Sequence, residues 1–124
     1  MDAPRAANEK GAIRFIHTEA PGETYKEIRD FYFKGGSLIC AYYAKHTYNA
    51  PYYLDAKRAR EEGCVAYDPK KTVVKEERFY FSNEKMVEWI GINNKPVAKS
   101  AKEWESTEQD RLNFAKELLG IFRQ

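Results

Sequence analysis

An aromatic segment, FYFKGGSLICAYY at residues 31–43, recurs in outline as FYFSNEKMVEWIG at residues 79–91. Each copy has an aromatic triplet, a short polar or glycine-containing segment and an apolar run. Two glycines between strand-forming residues predict a tight hairpin turn, because glycine adopts the positive φ of the primed turn types at little steric cost. The Asn-Glu pair of the second copy is a weaker turn signal, so a longer or bulged loop stays open there. The recurrence therefore predicts a sheet built from two β-hairpins.

Cross-strand pairing predicts which side chains of these hairpins share a face. With Gly35-Gly36 at the centre of the first turn, the predicted pairs are Phe33 with Leu38, Phe31 with Cys40, Arg29 with Tyr42, Tyr32 with Ile39, Asp30 with Ala41 and Ile28 with Tyr43. With Asn83-Glu84 at the centre of the second turn, they are Phe81 with Met86, Phe79 with Glu88, Tyr80 with Val87 and Arg78 with Trp89. In both copies the phenylalanines then share an apolar face, and the tyrosine between them points to the opposite face.

The rest of the chain supplies a further strand and two helices. Residues 12–17, AIRFIH, alternate in the manner of a strand. Asp55 is a favoured N-cap residue and Gly63 a favoured C-cap residue, which predicts a short helix between them. A second helix is predicted to begin at Ser100 or Ser106, because each is followed by Glu or Gln at capping-box spacing. Its apolar positions lie close to one stripe: Trp104, Leu112, Ala115, Leu118, Leu119 and Phe122.

These elements predict an α+β fold, an antiparallel four- to five-stranded sheet with the C-terminal helix packed on its apolar face. We expect a flexible polar leader at residues 1–11 and a single domain at residues 12–124, because the leader has no core-forming residues. Lys and Arg number 21 against 19 Asp and Glu, so the formal charge of +2 is too small to favour nucleic acid as a partner. No apolar run approaches the roughly 20 residues that cross a bilayer, so we expect no membrane span.

The two cysteines, Cys40 and Cys64, match neither a CxxC redox pair nor a zinc ligand set. We therefore expect no metal and no cofactor. In an exported protein the two cysteines can pair, which would stabilise the fold by roughly 3 to 4 kcal/mol in the chain-entropy model. In a cytosolic protein Cys40 is more simply a small buried hydrophobic residue. The sequence leaves this choice open.

Three stretches of the chain resemble a known pattern: FYFKGGSLICAYY, EERFYFSNEKMVEWIGINNKPV and EQDRLNFAKELLGIF, which together cover somewhat under half of it. They are similar to small uncharacterised exported proteins and lipoproteins of Gram-negative bacteria, in which paired aromatic hairpins precede a charged amphipathic helix. The resemblance implies an α+β fold and a periplasmic or secreted location. It implies no activity. Residues 1–12 lack the apolar stretch that a signal peptide needs, so we expect none within the given chain.

Local signatures of catalysis are absent from the sequence: there is no glycine-rich phosphate loop, HExxH, GxSxG or zinc knuckle. Cys40, His46 and Asp55 form an imaginable constellation for thiol catalysis. The predicted pairing puts Cys40 on the core face, where a thiolate is disfavoured. We therefore predict a non-enzyme, with a small envelope enzyme that uses His46 and nearby carboxylates as an alternative.

A tyrosine-rich loop between the hairpins supplies the candidate binding residues, Tyr43, His46, Tyr48, Tyr52 and Tyr53. Tyrosine combines a rigid apolar ring with a hydrogen-bonding tip, which suits protein, peptide or glycan surfaces. The sequence thus predicts a non-enzymatic cell-envelope domain that binds such a partner through this loop and the second sheet face. A homodimer through a tyrosine/tryptophan sheet face and a loop-inserting inhibitor of an envelope hydrolase are further hypotheses. The plain alternative is that these rings only pack against the sheet and one another.

Overall fold

The protein, described here by a computed structural model of residues 4–9 and 12–122, forms a six-stranded antiparallel sheet in which the strands follow one another in chain order. The strands are β1 (Arg5–Glu9), β2 (Ala12–Pro21), β3 (Tyr25–Lys34), β4 (Ser37–Thr47), β5 (Val73–Ser82) and β6 (Lys85–Ile90). The helices are α1 (Ala56–Glu62) and α2 (Trp104–Phe122), and Pro69–Lys71 forms one 3₁₀ turn. The predicted α+β class is confirmed, with more strands than predicted.

The additional strand, β1, lies inside the segment predicted to be a leader, so that boundary is wrong for residues 5–9. Ala6 pairs with Ile16 and Ala7 with Phe15. Pairing of an edge strand uses backbone groups, and the exposed side chains of residues 5–8 give no apolar alternation from which the strand could be read. Residues 1–3 and 10–11 of the predicted leader lie outside the described residues.

Both hairpins turn in the same way. Gly35 and Gly36 have φ values of 58° and 80°, and Asn83 and Glu84 have φ values of 50° and 62°. Two central residues with positive φ are the signature of a two-residue type I′ turn, whose twist matches that of the flanking strands. The second hairpin therefore needs no longer loop, although Glu84 adopts a conformation that is uncommon for a residue with a side chain.

Each hairpin also carries a β-bulge at the same place. The predicted pairs next to the turns, Phe33 with Leu38 and Phe81 with Met86, are confirmed. One residue further the register shifts: Tyr32 pairs with Cys40, and Tyr80 pairs with Glu88. The other predicted pairs are wrong, because the extra residue in β4 and in β6 moves every later partner by one position. Cys40 therefore does not lie on the core face, and neither does Glu88.

Helix α2 covers the phenylalanine face of the sheet, which we call the covered face. Its buried apolar residues from the strands are Ile16, Phe31, Phe33, Leu38, Ala41, Phe79, Phe81 and Met86, and those from α2 are Leu112, Ala115, Leu118 and Leu119. The prediction that the repeated phenylalanines form the floor under the C-terminal helix is confirmed. The helix begins at Trp104, between the two predicted starts.

The contacts of α2 and of the segment after β6 close the outer edge of β6. The buried Glu108 carboxylate of α2 accepts a 2.7 Å hydrogen bond from the Met86 backbone N–H. Further along, the Val97 N–H donates to the Trp89 carbonyl at 2.7 Å. An edge strand with its backbone groups occupied in this way offers little to another chain.

Candidate functional site

The five predicted binding residues are not brought together by the fold. Tyr43 lies on the covered face, where its ring packs edge-on against Phe31 and Phe79. Arg111 of α2 lies over the same ring, 4.5 Å from its centroid. Burial raises the pKa of Tyr43 to about 12. This residue is part of the packing between sheet and helix.

The remaining candidates follow Tyr43 along the chain. His46 is in β4 opposite Lys26 and Val74, three residues beyond Tyr43 and so on the other side of the sheet. Tyr48 packs edge-on against Tyr67, with ring centroids 5.3 Å apart, and burial raises its pKa.

Residues 48–72, which we call the connector, fold back on themselves and onto the turn between β2 and β3. The Asn49 side chain donates to the Ala66 carbonyl and accepts from the Asp68 N–H, at 3.1 and 2.9 Å. The backbone N–H groups of Tyr48 and Tyr52 donate to Thr24 and Glu23. The predicted short helix is confirmed as α1, with the side chain of Asp55 accepting from Arg58 N–H and with Gly63 in the left-handed conformation.

Tyr52 and Tyr53 remain at the surface of the connector, 59% and 39% exposed. Their rings meet edge-on, and the Arg58 guanidinium lies 4.9 Å from the Tyr53 ring centroid. They form a small local cluster on an exposed segment rather than the wall of a common site with Tyr43.

A larger concave surface lies on the side of the sheet that faces away from α2. This groove has a volume of about 610 Å³ and is lined by Asp30, Tyr32, Ile39, Cys40, Tyr42, Glu76, Arg78 and Tyr80. Phe15 and His17 of β2 extend it, because the Phe15 ring lies 4.9 Å from the Tyr32 ring, centroid to centroid, and His17 contacts Asp30. We call this set of residues the open face.

The open face is ordered as two rows that run across the strands. In the aromatic row, successive partners are Phe15, Tyr32, Cys40 and Tyr80. In the polar row, successive partners are His17, Asp30, Tyr42 and Arg78. Neighbouring strands are about 4.8 Å apart, so each row is a continuous line of side chains across the middle of the sheet.

The charged groups of the open face are paired within it. The Nδ1 atom of His17 lies 2.5 Å from an Asp30 oxygen, and its Nε2 atom lies 3.0 Å from a Glu19 oxygen. The hydrogen bond from His17 holds the pKa of Glu19 below its ordinary value. At the other end of the row, Arg78 donates to Glu76 at 3.1 Å. Each of these side chains is therefore held in place by a neighbour on the same face.

The neutral groups of the open face keep their protons. Burial raises the pKa values of Tyr32 and Tyr42, so both hydroxyls remain hydrogen-bond donors at neutral pH. Burial also raises the pKa of the Cys40 thiol, against the opposing effect of Arg78. A protonated thiol is a poor nucleophile, so the thiol catalysis that could be imagined from the sequence finds no support in the surroundings of Cys40.

Both cysteines are free thiols in the structure. Cys40 is half-buried on the open face, and Cys64 is exposed after α1. Within residues 4–9 and 12–122 there is no group of three or more His, Cys, Asp or Glu residues arranged to hold a metal ion. No helix in this part of the chain combines the length and the apolar character needed to cross a membrane.

A smaller cavity, of about 230 Å³, is lined mainly by residues of β3, β4 and β5, among them Arg29 and Tyr43. Several of its charged side chains contact a neighbour. Glu27 contacts both Arg29 and Lys45, at 3.5 and 4.0 Å. Glu77 accepts a hydrogen bond from the Trp89 indole N–H at 2.8 Å. This cavity therefore offers a ligand less room than the open face.

The position of Trp89 differs from the prediction, which placed it on the second sheet face with the tyrosines. It pairs with Phe79 and packs near Trp104 of α2, so it belongs to the covered side. The predicted tyrosine/tryptophan face, through which we hypothesised a homodimer, is in fact a tyrosine face without the tryptophan. The dimer itself stays a prediction.

Comparison of the chain with protein-family models, with curated proteins and with solved structures found no match.

Sequence reasoning missed most of the open face. Tyr32 and Tyr80 were correctly predicted to point away from the helix, but Phe15, His17 and Asp30 belong to no recognisable motif. The two rows appear only when the bulges are taken into account, because the one-residue shift in the first hairpin puts Cys40 opposite Tyr32. The sequence did contain one sign of a bulge. The predicted register placed the charged Glu88 on the apolar face, and the bulge in β6 moves Glu88 to the opposite face.

Proposed function

We propose that this protein is a non-enzymatic binding domain of the cell envelope, periplasmic or secreted, which holds its ligand on the open face. The observation that carries the proposal is the groove of about 610 Å³ on the side of the sheet away from α2. This volume lies within the range of known ligand sites, and such sites combine aromatic side chains with a few placed polar groups. The aromatic and polar rows supply both.

The exposure of the central tyrosine also supports binding there. Tyr32 is 40% exposed, while its neighbours in sequence, Phe31 and Phe33, are almost fully buried. A large ring that stays accessible beside a sealed core has area left for a ligand to cover. Tyrosine is among the residues that most often dominate binding energy when they are covered.

A binding role fits the chemistry better than a catalytic one. The Cys40 thiol is held protonated, and one oxygen each of Asp30 and Glu76 is hydrogen-bonded to His17 and Arg78. These contacts order the side chains that a ligand would meet.

The loop-inserting inhibitor has less support than the open-face binder. Such an inhibitor needs a loop that protrudes, whereas Ala50 and Leu54 of the connector are buried and its backbone is bonded to Glu23 and Thr24. The envelope location rests on the resemblance of the hairpins and helix. Fractionation of the native host, followed by detection of the protein in each compartment, tests that part of the proposal directly.

The binding proposal is tested with a panel of immobilised oligosaccharides and unstructured peptides. We expect the wild-type protein to retain at least one probe, and we expect Tyr32→Ala combined with Tyr80→Ala to weaken that interaction by tenfold or more, because two central contact rings are lost. Tyr52→Ala, which removes an exposed ring of the connector, is the matched control and should bind as the wild type does. Binding that survives the double substitution but disappears in the control would move the site to the connector.

A further inference from the structure

The pairing of charges on the open face narrows the class of ligand. The Asp30 carboxylate is hydrogen-bonded to His17, and Glu76 is ion-paired with Arg78, so both carboxylates of the groove already have a partner. A charged ligand would have to compete with one of these pairs for its partner. An uncharged ligand can form hydrogen bonds to the same groups while the pairs remain intact.

The paired groups still have hydrogen-bonding capacity. Arg78 reaches Glu76 through one terminal nitrogen, Nη2, and a guanidinium carries five N–H donors in a planar fork. His17 contacts one oxygen of Asp30, and a carboxylate has two oxygens. A hydroxyl group both donates and accepts, so a polyhydroxylated ligand can accept from the guanidinium and donate to the carboxylate at neighbouring positions.

The aromatic row supplies the complementary apolar contact. Tyr32 and Tyr80 lie on either side of Cys40, in strands two apart, so about 10 Å separates their positions in the row. The face of a pyranose ring presents C–H groups of slight positive charge, which pack favourably on the negative face of a tyrosine ring. At this separation a chain of sugars, rather than a single sugar, reaches both rings.

From these observations we infer that the ligand of the open face is a neutral oligosaccharide, held across strands β3 to β5 by Tyr32, Tyr80 and Arg78. The inference rests on the proposed function and specifies the ligand class of the same surface. Nucleic acids and acidic glycans fit less well, since Asp30 and Glu76 line the groove and would repel phosphates or uronates.

An extended peptide is the main competitor, and the backbone of the sheet disfavours it. Peptides that add to a sheet form main-chain hydrogen bonds with an exposed edge. Strands β3, β4 and β5, which line the groove, are paired on both sides, so a peptide in the groove meets no exposed edge. A proline-rich peptide, which docks on aromatic grooves without such bonds, is therefore the peptide to test against the sugar.

The experiment titrates the isotope-labelled full chain with three probes of similar length: maltohexaose, an oligogalacturonate and a proline-rich decapeptide. We expect maltohexaose to shift the backbone resonances of β3 to β5, and to bind more tightly than either other probe. Tyr32→Ala and Tyr80→Ala should each weaken its binding by about tenfold, while Tyr32→Phe, which keeps the ring, should weaken it by less than threefold. Arg78→Lys should weaken binding by about tenfold through loss of the planar fork, and Tyr52→Ala should leave it unchanged.

The outcomes separate the two levels of the proposal. If the decapeptide or the oligogalacturonate binds the open face more tightly than maltohexaose, the ligand class is wrong and the binding domain stands. If maltohexaose shifts only resonances of α2 or of the connector, the assigned site is wrong. If no probe shifts β3 to β5, both the ligand class and the open-face binding function are overturned. Melting temperatures of all variants are measured in parallel, so that a loss of fold is not read as a loss of binding.

Discussion

The covered face and the open face are made by alternate residues of the same strands, yet one is buried against α2 and the other faces solvent. On the covered face, Phe31, Phe33 and Phe79 are almost completely buried, and α2 completes their packing. On the open face, the intervening Tyr32 is 40% exposed and its neighbours are held in pairs by hydrogen bonds. The period of two along a strand thus separates residues that hold the fold from residues that meet solvent.

This separation means that the two sets can be changed independently. Burial of an apolar ring contributes in proportion to the area removed from water, so substitutions on the covered face should act mainly on stability. Side chains on the open face are only partly buried and bury less apolar area, so their substitution should cost less stability. The first three predictions below compare one residue from each face, and the last compares two residues of the open face.

The largest expected effect is that of Phe31→Ala. Its ring is fully buried, stacks on Phe114 at 5.4 Å and meets Tyr43 edge-on, so its removal leaves a cavity between sheet and helix. We expect the free energy of unfolding to fall by about 3 to 5 kcal/mol. Tyr32→Ala, one residue further along the strand, should lower it by about 1 kcal/mol or less. Urea unfolding measures both, and equal losses would show that the open face is as much a part of the core as the covered one.

The second comparison concerns carboxylates. Glu108→Ala leaves the Met86 N–H without its acceptor in a buried position, and we expect a loss of about 1 to 3 kcal/mol. Hydrogen exchange at the Met86 amide should accelerate in the same variant. On the open face, Glu76→Ala removes only a partly exposed contact with Arg78, so the expected loss is about 0.5 kcal/mol. A larger loss in Glu76→Ala than in Glu108→Ala would contradict the assignment of the two faces.

The general architecture could be predicted because its signals are local. Two glycines at positive φ, alternating phenylalanines and the apolar stripe of α2 each act within a few residues, so they predicted the hairpins, the core face and the C-terminal helix. The β1 strand gave no such signal. Its pairing to β2 depends on backbone groups supplied by another part of the chain, and its own side chains record little of that contact.

The candidate site was harder to predict for a geometric reason. A single extra residue in β4 moves Cys40 from the expected core face to the open face, and the same shift in β6 exchanges Glu88 for Trp89 on the covered side. The open face also draws residues from four strands, and their adjacency follows from register rather than from spacing in the chain. The five candidate binding residues are close in sequence, yet Tyr43 and His46 of β4 lie on opposite sides of the sheet.

A third prediction compares tyrosines at alkaline pH. Burial raises the pKa of Tyr43 from an ordinary value of 10.0 to about 12, so the folded state keeps the phenolic proton after the unfolded state has lost it. The stability gained from this difference is complete below pH 10 and is lost as pH rises toward 12, by about 1.4 kcal/mol for each pH unit. Between pH 9 and pH 11 the free energy of unfolding should therefore fall by about 1 kcal/mol more in the wild type than in Tyr43→Phe, as measured by urea unfolding.

Tyr32→Phe is the matched control on the open face. Its pKa is also raised by burial, but the side chain is 40% exposed, and the expected difference from wild type over the same pH range is smaller. An equal alkaline effect for the two variants would mean that Tyr43 is no better shielded from water than Tyr32.

The smallest expected effect concerns Glu19 at the edge of the open face. Its hydrogen bond with His17 lowers its pKa, and Lys26 and Arg5 act in the same direction while burial opposes them. The resulting stability is present above the ordinary pKa of 4.5 and is lost as pH falls through the lowered value. Glu19→Gln should therefore cost less than about 1 kcal/mol at pH 6 and nothing measurable at pH 2, because the carboxylate is partly exposed.

Glu88→Gln, on the far side of the same face, is the control for that titration and should change stability by less than about 0.5 kcal/mol at either pH. His17 keeps its contact with Asp30 in Glu19→Gln, so the polar row should remain ordered and any ligand binding should persist. A loss at pH 6 as large as that of Glu108→Ala would mean that the bonds of the open face help to hold the fold together. In that case the polar row would be explained by stability, and the open face would lose its claim to be a surface kept for a ligand.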